Sequence, residues 1–121
     1  MQTMSIERLQ PGPRMSQAVI HNNTVYLAGQ IASGAPAGGV TEQTRDILTR
    51  IDGLLAQAKS DKSRILSATI WLVDMASFAD MNRVWDAWVV AGSAPARATV
   101  VSPQLASSDF KVEIAVIAAQ L

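Results

Sequence analysis

The chain contains no cysteine and a single histidine, His21, among its 121 residues. The missing thiols exclude disulfides, thiolate nucleophiles and Cys-based zinc or iron–sulfur sites. One imidazole falls short of the two or three His ligands that zinc sites commonly use. No metal and no cofactor is therefore expected. Charge is also scarce. Charged residues make up 17% of the chain, against about 25% in a typical soluble domain. Ten basic residues balance ten acidic ones. That leaves no basic face for nucleic acid and no polybasic segment for an anionic membrane surface. No apolar run approaches the roughly 18 residues that cross a bilayer. The start, MQTMSIERLQPGPRM, lacks the apolar core of a signal peptide. The expected location is the cytoplasm.

What the chain has is apolar substance, 49% of its residues. Its length suits one domain, 1–121, with a core that needs no staple. A small chain with so little charge points to apolar surface buried against another subunit.

Residues 1–13 read as an irregular lead-in closed by Pro11-Gly12-Pro13. Two strand-like runs, Ser16 to His21 and Thr24 to Gly29, flank Asn22-Asn23. Asn tolerates positive φ, so this predicts a tight hairpin. A Gly/Pro-rich loop, 34–39, follows. Ile47, Leu48, Ile51, Leu54, Leu55 and Ala58 then form one stripe of helical period. Thr41 is the expected N-cap, with Thr44 and Arg45 on the polar side, and Asp61-Lys62-Ser63 the expected end. Gly53, inside this helix, is expected to permit close packing on a sheet.

Ile65 to Val73 predicts a strand with Leu66, Ala68, Ile70 and Leu72 on one face. Neither face is charged, so both are expected to be covered, one by helices and one by a second subunit. A second helix starts at Ser77, with Asp80 completing an approximate capping box. Its stripe is Phe78, Met81, Trp85, Trp88 and Val89, and Asn82 falls within it. Gly92-Ser93-Ala94-Pro95 ends it. Arg97 to Val101 and Lys111 to Ala118 predict two final strands. The order β-β-α-β-α-β-β predicts an α+β sandwich, two helices on one face of a mixed sheet.

The informative residues are misfits. Glu113 shares a strand face with Ala115 and Ile117, where carboxylates are rarely buried alone. If the last two strands form a hairpin centred near Leu105-Ala106, Arg97 falls opposite residues 113 to 115, with Thr99 on its own face. Two readings stay open. One is an Arg97–Glu113 ion pair that fixes register or a subunit contact. The other is a carboxylate-binding Arg with a nearby Glu that handles protons or water, since the guanidinium fork matches a carboxylate bidentately. Tyr26, Trp71 and the Trp85/Trp88 pair read as core. Gly29 ends an apolar strand, where a missing side chain lets a ligand or backbone approach. His21 and Arg14 read as surface residues, Arg14 unless a pocket lies there.

These pieces resemble the Rid family, the RidA/YjgF-like enamine/imine deaminases. The resemblance rests on Val25-Tyr26-Leu27-Ala28-Gly29-Gln30-Ile31, Asp80-Met81-Asn82-Arg83-Val84-Trp85, Pro95-Ala96-Arg97-Ala98-Thr99-Val100 and Val112-Glu113-Ile114 with Ala115-Val116-Ile117-Ala118. It runs from about residue 11 to residue 120 in the family's order. It implies a chorismate-mutase-like fold and a homotrimer with a central barrel and interface clefts. It implies hydrolysis of 2-aminoacrylate-type enamines or their imines to 2-keto acids and ammonia, without metal or organic cofactor. By position, Arg97 matches the carboxylate clamp and Glu113 the acid that positions or activates water. Gly29 matches a backbone position lining the site, Asn82 a polar residue close to the cleft, and Trp85 an aromatic near it.

The chain departs from the family's pattern at four places. The common Gly-Pro-Tyr is Gly12-Pro13-Arg14, so a cation replaces an aromatic. Ala28 stands for a frequent Ser, Thr99 for a frequent Cys, and Ala115 for a frequent second Glu. If Arg14 reaches the cleft, a second cation favours a dicarboxylic or larger substrate. Two functions are carried forward: a deaminase of 2-imino or 2-enamino acids, and a non-catalytic trimer that binds a keto or carboxylic acid through Arg97. A ribonuclease-like role, sometimes attached to the family, finds no basic or aromatic-interleaved patch.

Overall fold

A computed structural model describes residues 5–121. The chain runs β1 (Ile6–Pro11), β2 (Ser16–His21), β3 (Thr24–Leu27), β4 (Gln30–Ile31), α1 (Val40–Gln57), β5 (Ile65–Leu72), α2 (Phe78–Trp88), β6 (Ala96–Val101) and β7 (Val112–Ala119). The strands form one sheet in the order β1-β2-β3-β7-β5-β6, with β4 also on β7. β5 and β6 run parallel, and the other pairs are antiparallel. This is the expected α+β architecture, with both helices on one face of a mixed sheet. Among the described residues, no helix is long and apolar enough to cross a membrane.

Local chemistry explains much of it. Asn22 (φ 56°) and Asn23 (φ 64°) take the left-handed conformation of a two-residue hairpin turn. The helices bury Ile47, Leu48, Ile51, Leu55, Met81 and Trp85 against Ile70, Leu72, Val112, Ile114 and Val116 of the sheet. The last strand alternates as predicted: Val112, Ile114, Val116 and Ala118 are buried, and Glu113, Ala115 and Ile117 point the other way.

Several expectations are corrected. Part of the lead-in is the edge strand β1, paired with β2 through Leu9↔Ala18. It is almost wholly exposed, so it has no apolar alternation to read. Residues 1–4 lie outside the described residues. The strand expected over Thr24 to Gly29 breaks at Leu27, and its continuation β4 was missed. Tyr26 pairs with Ile117 and Gln30 with Ile114. Four steps on one strand thus face three on β7, a bulge at Ala28-Gly29.

Helix α1 is N-capped by Gly39, not Thr41. Its end comes at Gln57, and Asp61 instead caps the short 3-10 turn Lys62–Arg64, its carboxylate accepting from the Ser63 N–H at 2.8 Å. Thr44 is buried rather than on the polar side, because its Oγ1 donates to the Val40 carbonyl at 2.7 Å. Gly53 is not a packing contact, since a Cβ there would meet nothing within 4 Å. Register slips between Ile65 and Ser67, so Ile65 is buried and Leu66 turns outward, 53% exposed.

The largest correction concerns the end of the chain. β6 and β7 are not a hairpin. β6 lies at the sheet edge on β5, and β5 separates it from β7. The segment β5-α2-β6 is a parallel crossover unit, which needs a helix between its strands. Among the described residues, no element covers the second face of the sheet. Tyr26, expected in the core, is 45% exposed there, beside half-buried Trp71 and exposed Ile117 and Val100.

Candidate functional site

The crossover decides where the two misfit charges go. Arg97 pairs with Ala68 on β5, and Ala68 pairs with Val116 on β7. Both neighbours are buried under the helices, so Arg97 projects to the helix side. Glu113 is level with Trp71, three residues further along β5. It projects to the open face. The Arg97–Glu113 ion pair across a hairpin is therefore absent. Among the described residues the ion pairs are Arg50–Asp46 at 2.8 Å and Arg83–Asp80 at 3.1 Å.

Arg97 is held by aromatic rings instead. Its guanidinium carbon lies 5.4 Å from the Trp85 ring centroid and 5.9 Å from that of Phe78. Cation–π contact orients the group and leaves its N–H fork unspent. Thr99 shares this face of β6, level with Ile70. Asn82 sits on α2 between Phe78 and Trp85 in sequence. The Asn82 Oδ1 and the Thr99 Oγ1 are both buried with no hydrogen-bond partner among the described residues. Buried polar atoms are nearly always paired, so these two oxygens, one on the strand face of Arg97 and one on the helix whose rings hold it, can receive a polar group that the described residues do not supply. Phe78 was placed in the apolar stripe of the second helix. Its exposure, 38%, and its role beside Arg97 depend on the β5-α2-β6 geometry.

Glu113 belongs to the other half. Its strand neighbours are Trp71 on β5 and Ile31 on β4. Its carboxylate lies over the α-carbon of Gly29. A Cβ at position 29 would overlap its Oε2 and come within 3.0 Å of Cδ. This close approach, not a special φ, is why glycine stands there. Burial without a charged partner pushes the Glu113 carboxyl above its ordinary value of 4.5.

Gly29 also borders a cleft of about 440 Å³ between α1, the β1-β2 turn and the free edge of β4. Arg14 does not line it. It is exposed in the turn that Gly12 N–H closes on the Met15 carbonyl at 2.7 Å, and Met15 faces the cleft instead. The cation in the cleft wall is Arg50, which the sequence reading did not single out. Gln43 was also missed. It is fully buried and donates to the carbonyls of Gly38 (3.1 Å) and Asp109 (2.8 Å), while its Oε1 accepts from Lys111 N–H (2.8 Å). The signal was there, a polar residue at i−4 from Ile47 and i−8 from Ile51 on the buried stripe. Among the described residues, no group of three or more His, Cys, Asp or Glu is placed to hold a metal ion.

The chain carries other proteins' signatures over nearly its whole length. Residues 5–120 match the family model described as Endoribonuclease L-PSP. A RutC family protein of Haemophilus influenzae is 46% identical over 115 residues, covering 95% of this chain and 98% of that protein. The 2-iminobutanoate/2-iminopropanoate deaminase of Bos taurus is 36% identical over 110 residues, covering 87% and 79%. The crystal structure of a YjgF family member from Neisseria meningitidis superposes with a TM-score of 0.93 at 42% identity, covering 98% of this chain and 97% of that one. With matching sequence, matching fold and the same order of elements, the chain belongs to the Rid (YjgF/RidA) family.

Proposed function

We propose that this protein is a cytoplasmic hydrolase of 2-imino and 2-enamino acids, working as a homotrimer with its sites between subunits. The observation that carries the reading is the unspent Arg97 fork beside the orphaned Asn82 and Thr99 oxygens. A planar carboxylate next to an imine carbon is the group that such a fork receives. The deaminase name of the Bos taurus relative supports the reaction class.

Topology supports assembly. Arg97 and Glu113 project from opposite faces of one sheet, so they serve one reaction only if copies of the chain meet. The open face, with Tyr26, Trp71, Val100 and Ile117, is the surface that assembly would bury. A central barrel of three sheets covers it. Each cleft then receives Arg97, Asn82, Thr99 and Trp85 from one copy and Gly29 and Glu113 from the next.

The chemistry is modest. Arg97 fixes the carboxylate and so aims the imine carbon at one water. Glu113, poised above the ordinary carboxylate range, accepts a proton from that water as its oxygen bonds to carbon. It returns that proton to nitrogen to give the carbinolamine, then takes the hydroxyl proton and passes it to nitrogen as the carbon–oxygen double bond forms and the carbon–nitrogen bond breaks. Imine and water are consumed, and 2-keto acid and ammonia leave.

The test is keto-acid release from imines generated by an amino-acid oxidase. The wild type accelerates release and Arg97→Ala abolishes it with the oligomer intact. Arg97→Lys keeps the charge without the fork and recovers little. Glu113→Gln slows turnover but still binds 2-oxobutanoate. If the wild type accelerates no imine and binds the keto acid equally well with or without the Glu113 carboxylate, the protein is a carboxylate-binding trimer and not an enzyme.

A further inference from the structure

The cleft beside Gly29 has a chemical bias that the reaction alone does not require. Five of its lining side chains are Arg50 and the amides of Gln10, Gln17, Gln30 and Gln57, and among the described residues no acidic side chain lines it. Its volume, about 440 Å³, lies within the range of small-molecule sites, about 300–1,000 Å³.

Its amides pair with one another across the cleft wall. Gln10 Nε2 donates to Gln57 Oε1 at 3.1 Å, and Gln30 Nε2 donates to Gln17 Oε1 at 2.9 Å. These pairings use up two amide oxygens. They leave the Nε2 groups of Gln17 and Gln57 with no acceptor, and the Oε1 atoms of Gln10 and Gln30 with no donor, among the described residues. Arg50 is braced the same way. Its Nε donates to Asp46 Oδ2 at 2.8 Å, and Asp46 is itself held by the Gly34 N–H at 3.2 Å. A Cβ at position 34 would come within 3.3 Å of the Asp46 Cγ and 3.1 Å of the Arg50 Nη2, so glycine there admits the pair. The two terminal nitrogens of Arg50 keep no partner among the described residues. An oriented guanidinium with free terminal N–H groups, flanked by free amide N–H groups, is a receptor for an anion.

Gly53 supports the same conclusion from the helix side. A helix-interior glycine costs about 1 kcal/mol relative to alanine. Here no neighbour requires it, since a Cβ would meet nothing within 4 Å. The position lines the cleft, and what its missing methyl provides is room.

We infer that this cleft is the distal-group pocket of the active site, and that it selects imino acids bearing a second carboxylate, received by Arg50. This deepens the deaminase reading and rests on it. Gly29 joins the two regions, with the Glu113 carboxylate over its α-carbon and its backbone in the cleft wall. A second cation at the site was expected from Arg14; the inference gives that part to Arg50 of α1.

The test compares imines made from glutamate and from norvaline, whose side chain ends in a methyl where glutamate has its carboxylate. Each is generated by a suitable oxidase with catalase present, and keto-acid release is followed. For the wild type, kcat/KM favours the glutamate-derived imine by roughly tenfold or more, and Arg50→Gln brings the ratio to about one. Equal rates in the wild type, or a ratio untouched by Arg50→Gln, overturn the inference and leave the deaminase reading standing. If neither imine is turned over, that reading fails separately, and calorimetric binding decides the cleft. Tighter binding of 2-oxoglutarate than of 2-oxopentanoate, lost in Arg50→Gln, upholds the anion pocket. Equal binding of the two acids, or binding of neither, overturns it.

Discussion

The carboxylate of Glu113 occupies the space in which a side chain at Gly29 would stand. A bulge at Ala28-Gly29 and a strand register of Ile31↔Glu113 bring the two together from chain positions 84 residues apart, 113 less 29. The expected consequence is strong coupling. Gly29→Ala displaces the carboxylate, costs about 1–3 kcal/mol, and lowers turnover. Adding Glu113→Ala relieves the overlap, so the double variant loses less stability than the two single losses summed. Urea denaturation of the four proteins in this cycle measures it, and strict additivity would show that the two groups do not share the space.

Glu113 should also make stability depend on pH. Its folded-state value is raised above 4.5 by burial, so the folded chain holds the proton more tightly than the unfolded chain. That contribution is fully present below the unfolded value and is lost as pH rises through the raised folded one. Glu113→Gln removes the buried charge. The variant is expected to gain stability over the wild type at pH 7, with the gap closing towards pH 4. Melting temperatures of both proteins across that range decide it, and a gap that is constant with pH would contradict it.

Gln43 ties the start of α1 to the approach of β7. Gln43→Leu keeps the volume and strands the Lys111 N–H, while the Gly38 carbonyl keeps the Lys111 Nζ and the Asp109 carbonyl keeps the Ala37 N–H. About 3 kcal/mol of destabilisation is expected. Amide exchange at Lys111 should quicken together with that loss. Gln43→Glu still accepts from Lys111 N–H but donates to neither carbonyl, so it should protect that amide better than Leu does.

Gly53→Ala is expected to stabilise the fold by about 0.5–1 kcal/mol, because it removes a helix-interior glycine into open space. For a chain of this size that raises Tm by roughly 2–5 °C. The methyl narrows the cleft, so KM for a glutamate-derived imine should rise while Tm also rises. A fall in Tm would mean that an unseen neighbour occupies the position.

Local physics was legible in the residues. The stripe through Ile47, Ile51 and Leu55 specifies α1 because helical neighbours recur every 3.6 residues, whatever lies outside. The Asn22-Asn23 turn, the alternation of Val112 to Ala118 and the misfit of Glu113 are decided within a few residues of chain in the same way. The family motifs around Arg97 and Glu113 were legible for the same reason. Partnership between distant strands was not. Nothing near Arg97 states that β6 joins β5 in parallel rather than β7 in a hairpin, because that choice is made by the crossover helix packing on the sheet. It puts Arg97 and Glu113 on opposite faces and brings Phe78 over the guanidinium, while the packing of α1 beside β4 puts Arg50 in the cleft wall. The sequence determined which residues carry charge into an apolar fold. The tertiary structure decided which of them meet, since side chains from separate elements come together only through long-range packing.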